Sequence, residues 1–177
     1  MNTLSSTKDP AIAENFVASR SDDGRKYIGR TPTDAISVPT EITYPHNGEK
    51  LDGIVFKAPA MEVKWDIYAY GEWIHFVRSW TSDLIYKARF ENTGETLILN
   101  EILVSNPAGT GDGLIAAQNV HSIMLTHALG RVWPFHVPPA MQTSGSEEIA
   151  LFLFSQFGSM ATMATRENTL KIALRSA

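Results

Sequence analysis

The segment GEWIHFVRSWTSDLIYKARF, residues 71–90, holds an arginine inside a stretch that otherwise alternates like a half-buried strand. A guanidinium on an apolar face must be paired or hydrogen-bonded, because stripping water from a lone charge costs several kcal/mol. Two readings of Arg78 stay open. In one it is structural, either as part of an ion pair or with its stem buried and its head in solvent. In the other it clamps a small anionic ligand. The predicted cross-strand neighbours Trp65 and Tyr86 would then wall the site, with cation–π contacts worth about 0.5–2 kcal/mol, and Glu101 would be the nearby carboxylate.

A second candidate is NPAGTGDGL, residues 106–114, where Gly109, Gly111 and Gly113 precede a predicted helix start. Backbone N–H groups at such a start can hold an anion. The alternative is a flexible strand-to-helix connection capped by Asp112. The GK[ST] ending of a phosphate-binding loop is missing, and GxGxxG is not completed, so no cofactor is expected. The histidines carry little. His121 and His127 sit about 120° apart around a helix and cannot form an i, i+4 metal pair. Both are expected at the border of the core. His75 lies on the strand face opposite Arg78, and His136, in a proline-rich loop, is the histidine best placed for a site. No metal site is expected, and no Ser, His and Asp spacing or paired carboxylate points to catalysis, so whether the chain is an enzyme stays open.

The elements that must position these residues begin at Leu51. IVFKA, KWDIYAY, EWIHFVRSW, LIYKARF and TLILNEILV are rich in β-branched and aromatic residues and are separated by turn signals, which predicts a meander. A two-residue turn at Gly71-Glu72 pairs Ala69 with Ile74, Ile67 with Phe76 and Trp65 with Arg78. A three-residue turn at Thr81–Asp83 then pairs Arg78 with Tyr86, Phe76 with Ala88 and Ile74 with Phe90. One face gathers Trp65, Ile67, Ala69, Ile74, Phe76, Trp80, Leu84, Tyr86, Ala88 and Phe90, with Arg78 as its charge. If Leu97 and Leu99 join that face, so does Glu101. The other face, with Tyr68, Tyr70 and Trp73, is amphipathic and would be free to bind a partner or a second copy.

After Asn106 the period becomes helical. GLIAAQNVHSIMLTHALGR sets Leu114, Ala117, Val120, Met124 and Ala128 on one stripe against Gln118, Ser122 and Thr126, with Gly130 as the stop. A second helix is expected from Ser144, where Ser144 and Glu147 have capping-box spacing, and its EEIALFLFSQF run predicts deep burial. TLKIALR reads as a last strand, with a helical tail from Thr165 as the alternative. The fold class is therefore α+β: a mainly antiparallel sheet of four to six strands, over residues 51–104 plus a C-terminal strand, with two longer helices on one face. Residues 1–50 are polar and turn-rich, with one helix start where Asp9 caps and Pro10 follows. They are expected to form a loosely attached arm beside a single domain, 51–177.

RSWT at Arg78–Thr81 followed by Ile85-Tyr86 resembles a set of uncharacterised bacterial proteins that carry an RSWTG hairpin followed by IY; Ser82 stands where that pattern has Gly. The likeness spans roughly residues 62–90. It implies a hairpin and no known activity.

The whole chain sets the outer limits. It has 177 residues, 44% of them hydrophobic and 19% charged, enough for one compact core. A net charge of −4 gives no electrostatic reason to approach nucleic acid or an anionic bilayer. The absence of cysteine excludes disulfides and thiolate chemistry. The N-terminus shows no secretory pattern and no apolar run could span a bilayer. Together these predict a soluble cytoplasmic binding or accessory domain, with Tyr68, Tyr70 and Trp73 as the surface for a homodimer or a protein partner. The alternative is a binding protein or enzyme for a small anionic ligand held by Arg78.

Overall fold

The computed structural model of the chain describes residues 7–175; residues 1–6 of the expected arm and 176–177 of the expected tail lie outside that range. The predicted class holds. Among the described residues, β1 (Ile36–Pro45), β2 (Gly53–Phe56), β3 (Trp65–Tyr70), β4 (Trp73–Arg78), β5 (Leu84–Asn92) and β6 (Thr96–Val104) form one antiparallel sheet in the order β1-β6-β5-β4-β3-β2. Strands β2 to β6 are the meander. β1 and β2 are thus the two edges, and residues 46–52 cross between them past the β5–β6 turn. His46 N–H donates to Glu95 O at 2.8 Å, and a Cβ at Gly48 would meet Gly94 O at 3.0 Å.

β1 lies in the arm that the sequence predicts to be loosely attached, and this corrects that expectation. Its ladder with β6 runs from Ile36 opposite Val104 to Pro45 opposite Thr96. Pro39 and Pro45 disguise the strand in the sequence, yet they are tolerated on an edge, where a missing N–H leaves no ladder partner unpaired. The helix that opens the described part of the arm also packs down. α1 (Pro10–Ser19) is capped as predicted, with Ala11 N–H donating to Asp9 Oδ1 at 2.9 Å, and it buries Phe16 against Ala58 and Val63.

The β3–β4 register is the predicted one, Trp65 opposite Arg78 and Ile67 opposite Phe76. Between β4 and β5 it differs by two residues: Phe76 faces Tyr86 and Ile74 faces Ala88. A shift of two keeps each side chain on its face, so Trp65, Ile67, Ile74, Phe76, Tyr86, Ala88 and Phe90 all reach the main core. Trp80 and Leu84 do not. Ser79 donates its N–H to Lys64 O at 2.9 Å and its hydroxyl to Val63 O at 2.7 Å, which draws the loop off the sheet. Ile85 is the extra residue of a bulge, and Leu84 turns to the reverse face against Tyr68 and Val77.

α2 (Gly113–Ile123) continues as a π turn over Met124–Ala128 and lies on the core face of the sheet. α3 (Ser146–Phe157) and α4 (Thr169–Arg175) flank it, and β7 (Phe135–His136) pairs in parallel with β8 (Ala164–Thr165). α4 replaces the expected C-terminal strand. Asn168 decides this locally, because its Oδ1 accepts from Leu170 N at 3.0 Å and starts a helix. The two long helices exchange their expected burial. α3 starts at Ser146 with Gly145 as its cap, lacks the capping box, and buries only Ile149, Leu153 and Phe157, leaving Leu151 67% exposed. Beyond its first turn α2 is largely buried because β7 and α4 pack against the side away from the sheet, so Gln118, Ser122 and Thr126 are buried along with Ala117, Val120 and Met124.

Candidate functional site

Arg78 ends β4 beside the last turn of α3. Its Nη2 donates to Ser155 O at 3.0 Å and its Nη1 to Gln156 O, while the guanidinium carbon sits 5.0 Å from the Trp65 ring centre. Trp65 Nε1 also donates to Gln156 O, at 3.0 Å, and its ring stacks on Tyr86 at 5.6 Å. A cation is favoured at the carbonyl end of a helix, and Arg78 answers two carbonyls there without a carboxylate. Burial pulls its pKa below the ordinary value, with Tyr86 and Asp83 opposing. Lys64 lies close by, its Nζ 3.2 Å from the Trp80 ring centre, and burial followed by the Arg78 charge lowers its pKa to about 8. Arg78, Trp65 and Tyr86 do line one cavity of about 310 Å³, together with Asp83 and Asn119.

Glu101 is not part of it. The register break between Arg89 and Phe90 makes Asn100 the extra residue and turns Glu101 to the reverse face, where Arg89 Nη2 bonds it at 2.7 Å and Ser37 Oγ at 2.6 Å. The glycine loop is closed by its own side chains. Asn106 Oδ1 accepts from Gly111 N at 2.7 Å, and Asp112 Oδ1 accepts from Leu114 N at 2.8 Å and Ile115 N at 3.1 Å. An anion at Gly109, Gly111 and Gly113 would therefore meet a carboxylate already holding the first-turn amides. His136, the loop histidine, bonds Glu167 O at 3.0 Å.

The reverse face is covered as well. Tyr27 stacks on Tyr68 at 5.8 Å, Tyr70 OH donates to Asp23 O at 2.6 Å, and Trp73 lies under Lys87 Nζ at 4.5 Å. The expected free dimer surface is thus occupied at Tyr68 and Tyr70 by the chain's own arm. Asp66 anchors that arm from β3. It accepts from Arg20 at 3.0 Å, from Ala58 N at 2.8 Å and from Lys57 Nζ at 3.3 Å. His75 is buried beside this layer, and burial, reinforced by Lys87, lowers its pKa to about 4.

A larger cavity, of about 650 Å³, opens between the β1 edge and the helices. Val38 and Ile42 of β1, Leu114, Ala117 and His121 of α2, and Leu170, Ala173 and Leu174 of α4 form its walls. Leu114 and Leu174, 53% and 80% exposed, mark its mouth. The polar residues of its lining are Thr40, Glu41 and Thr43 of β1 and His121 of α2, whose Nε2 is buried away from the open space. The ring stacks on Tyr44 at 5.6 Å, meets Trp133 edge-on at 5.5 Å, and shares a 3.0 Å hydrogen bond between Nδ1 and Tyr44 OH. His121 Nδ1 is the one hydrogen-bond partner of the buried Tyr44 hydroxyl among the described residues, so the O–H donates there. The proton of the neutral ring is then on Nε2, which has no partner among the described residues. Burial lowers the His121 pKa to about 4, which keeps the ring a neutral donor across physiological pH rather than a base poised for catalysis.

Sequence reasoning missed this cavity because two of its three walls were assigned otherwise, β1 to a loose arm and α4 to a strand. His121 on the buried helix was the one available signal. Buried polar groups cluster nearby: Gln118 and Ser122 on α2 and Thr169 at the start of α4 also lack partners among the described residues. Compared with protein-family models, curated proteins and solved structures, the chain matches none.

Proposed function

We propose that the protein is a soluble binding domain that takes a small amphipathic molecule into the cavity between β1, α2 and α4. The observation that carries this reading is the space itself, about 650 Å³, walled by Val38, Ile42, Leu114, Ala117, Leu170 and Leu174 with Thr40, Glu41, Thr43 and His121 as its polar residues. Volume and lining match the usual small-molecule site, a concave apolar space with a few placed polar groups. A cytoplasmic address belongs to the same proposal; it is supported by a net charge of −4, and no helix among the described residues is long and apolar enough to cross a membrane. Trp133, edge-on to His121, supplies the readout. Binders should raise the melting temperature and change tryptophan emission, and Leu114→Trp, which narrows the mouth, should abolish both effects. Thermal shifts that survive Leu114→Trp unchanged would place the ligand elsewhere.

A second reading, favoured by the convergence of Arg78, Trp65 and Tyr86 on the 310 Å³ cavity, is a small anion held by the guanidinium. It is the weaker one. Two N–H groups of Arg78 already serve α3, and Asp83 presents a like charge to the anion. Anion-induced thermal shifts that Arg78→Ala removes, with Leu114→Trp leaving them intact, would favour it over the first.

A further inference from the structure

We infer that the outer face of α3 pairs with the α3 of a second copy of the chain, antiparallel about a two-fold axis at Leu151. This surface is separate from the cavity between β1, α2 and α4, and it stands in place of the sheet face that the arm covers.

Exposure marks the face. α3 buries Ile149, Leu153 and Phe157, and its other side leaves Leu151 and Phe154 exposed, with Ala150 and Ser155 open beside them. Met163, also exposed, borders the same helix across a small cavity that it lines together with Ala150. Large apolar side chains gathered along one helix mark a contact surface, whereas single scattered ones do not. Ala150 and Ser155, being small, let a second helix come close.

Charge names the occupant. Glu147 and Glu148 stand on the first turn of α3, exposed and without an ion pair among the described residues. At the other end Arg78 holds the carbonyls of Ser155 and Gln156, and Lys64 Nζ lies 5.4 Å from the Phe154 ring centre; neither cation is ion-paired among the described residues. The helix thus carries carboxylates at one end, cations at the other and apolar side chains between. Such a surface complements itself when turned end for end, which is what a two-fold contact requires. A parallel copy would instead set carboxylates on carboxylates.

The spacing agrees. Glu147 and Ser155 lie four residues to either side of Leu151, about 6 Å along the axis, and Glu148 and Phe154 lie three. An antiparallel copy centred on Leu151 sets its Glu147 opposite Ser155, toward Arg78, and its Glu148 opposite Phe154, toward Lys64. The two helix dipoles then run in opposite directions, each positive end beside the other's negative end.

The test uses the full chain. One helix face is a small interface, so sedimentation velocity should show the mass rising from one chain toward two between about 5 and 500 μM. Raising salt from about 0.05 to 0.5 M should weaken the association about tenfold by screening the charged ends. Leu151→Glu, which alters an exposed side chain, should leave the chain monomeric throughout. Because the chain has no cysteine, Leu151→Cys introduces a single thiol, placed on the axis. Mild oxidation should link two copies at least about tenfold faster for that variant than for Val17→Cys, on the exposed side of α1. A chain that is monomeric at every concentration overturns the inference, whether a different protein or the chain's own first residues cover the face. Dimers that survive Leu151→Glu, or linkage no faster at residue 151 than at residue 17, place the contact elsewhere and overturn it too. Association unchanged by salt overturns the antiparallel pairing of charged ends.

Discussion

Arg78 shows how the fold can answer a charge placed on an apolar strand from within. The lone guanidinium on an apolar strand does need partners, and it finds them in the carbonyls of Ser155 and Gln156 and in the face of Trp65. Arg78→Ala should therefore destabilise the protein by about 2 kcal/mol, since two charge-assisted hydrogen bonds and a helix-end charge are lost. Urea unfolding would measure this, and Arg78→Lys should recover only part, because an ammonium cannot span two carbonyls as a planar fork does. Gln118 predicts the opposite sign. Both its amide atoms are buried without partners among the described residues, so Gln118→Met should raise the melting temperature by removing an uncompensated polar group. Gly24 is fixed by geometry: its φ is 83°, and a Cβ there would lie 2.3 Å from Tyr68 Cγ. Gly24→Ala should cost at least about 1–3 kcal/mol from the backbone alone.

The element that most changes the picture is the N-terminal arm. Composition makes residues 7–50 look dispensable, yet they provide the β1 edge, one wall of the large cavity, and the cover over Tyr68 and Tyr70. Asp66 is the hinge pin. Asp66→Ala would leave Arg20 and Lys57 facing each other without their shared carboxylate, which for a buried network costs about 3–5 kcal/mol. Limited proteolysis should then cut within residues 20–33 at protease levels that leave the unmodified protein intact; an unchanged digestion pattern would show that the arm is held by other contacts. The helices teach a related lesson. α2 carries an amphipathic pattern but past its first turn buries its polar side as well, and α3 is apolar nearly all round but buries a single stripe. Periodicity reports what a helix can bury, and the neighbours decide what it does bury.

At the scale of the whole molecule, three enclosed histidines govern the response to acid. Burial lowers the pKa of His75, His121 and His127 to about 4 in each case, against about 6.5 in an unfolded chain. A base whose folded pKa lies below its unfolded pKa takes up its proton first in the unfolded state, so stability is fully present above about pH 6.5. It is lost as pH falls from there toward 4. Each proton contributes a slope of up to about 1.4 kcal/mol per pH unit, and three together up to about 4. Urea midpoints measured from pH 7 to pH 4.5 should fall steeply, and His127→Phe, which keeps an aromatic ring against Phe56, should flatten the curve by about one proton. A stability independent of pH over that range would mean that the three rings are not enclosed as described.

By itself the sequence determined the meander, the β3–β4 register, the core face of Ile67, Ile74, Phe76 and Phe90, and the Asp9 and Asp112 caps, because each follows from local alternation or from a turn and cap a few residues long. It could not decide what lies across space. The β1–β6 pairing joins residues about sixty positions apart, and Pro39 and Pro45 conceal the strand. The bulges that turn Leu84 and Glu101 outward come from loop and ladder contacts with no sequence mark. The cavity around His121 exists only where β1, α2 and α4 meet. Whether a histidine in that place has both ring nitrogens satisfied depends on partners that only the assembled fold brings near it.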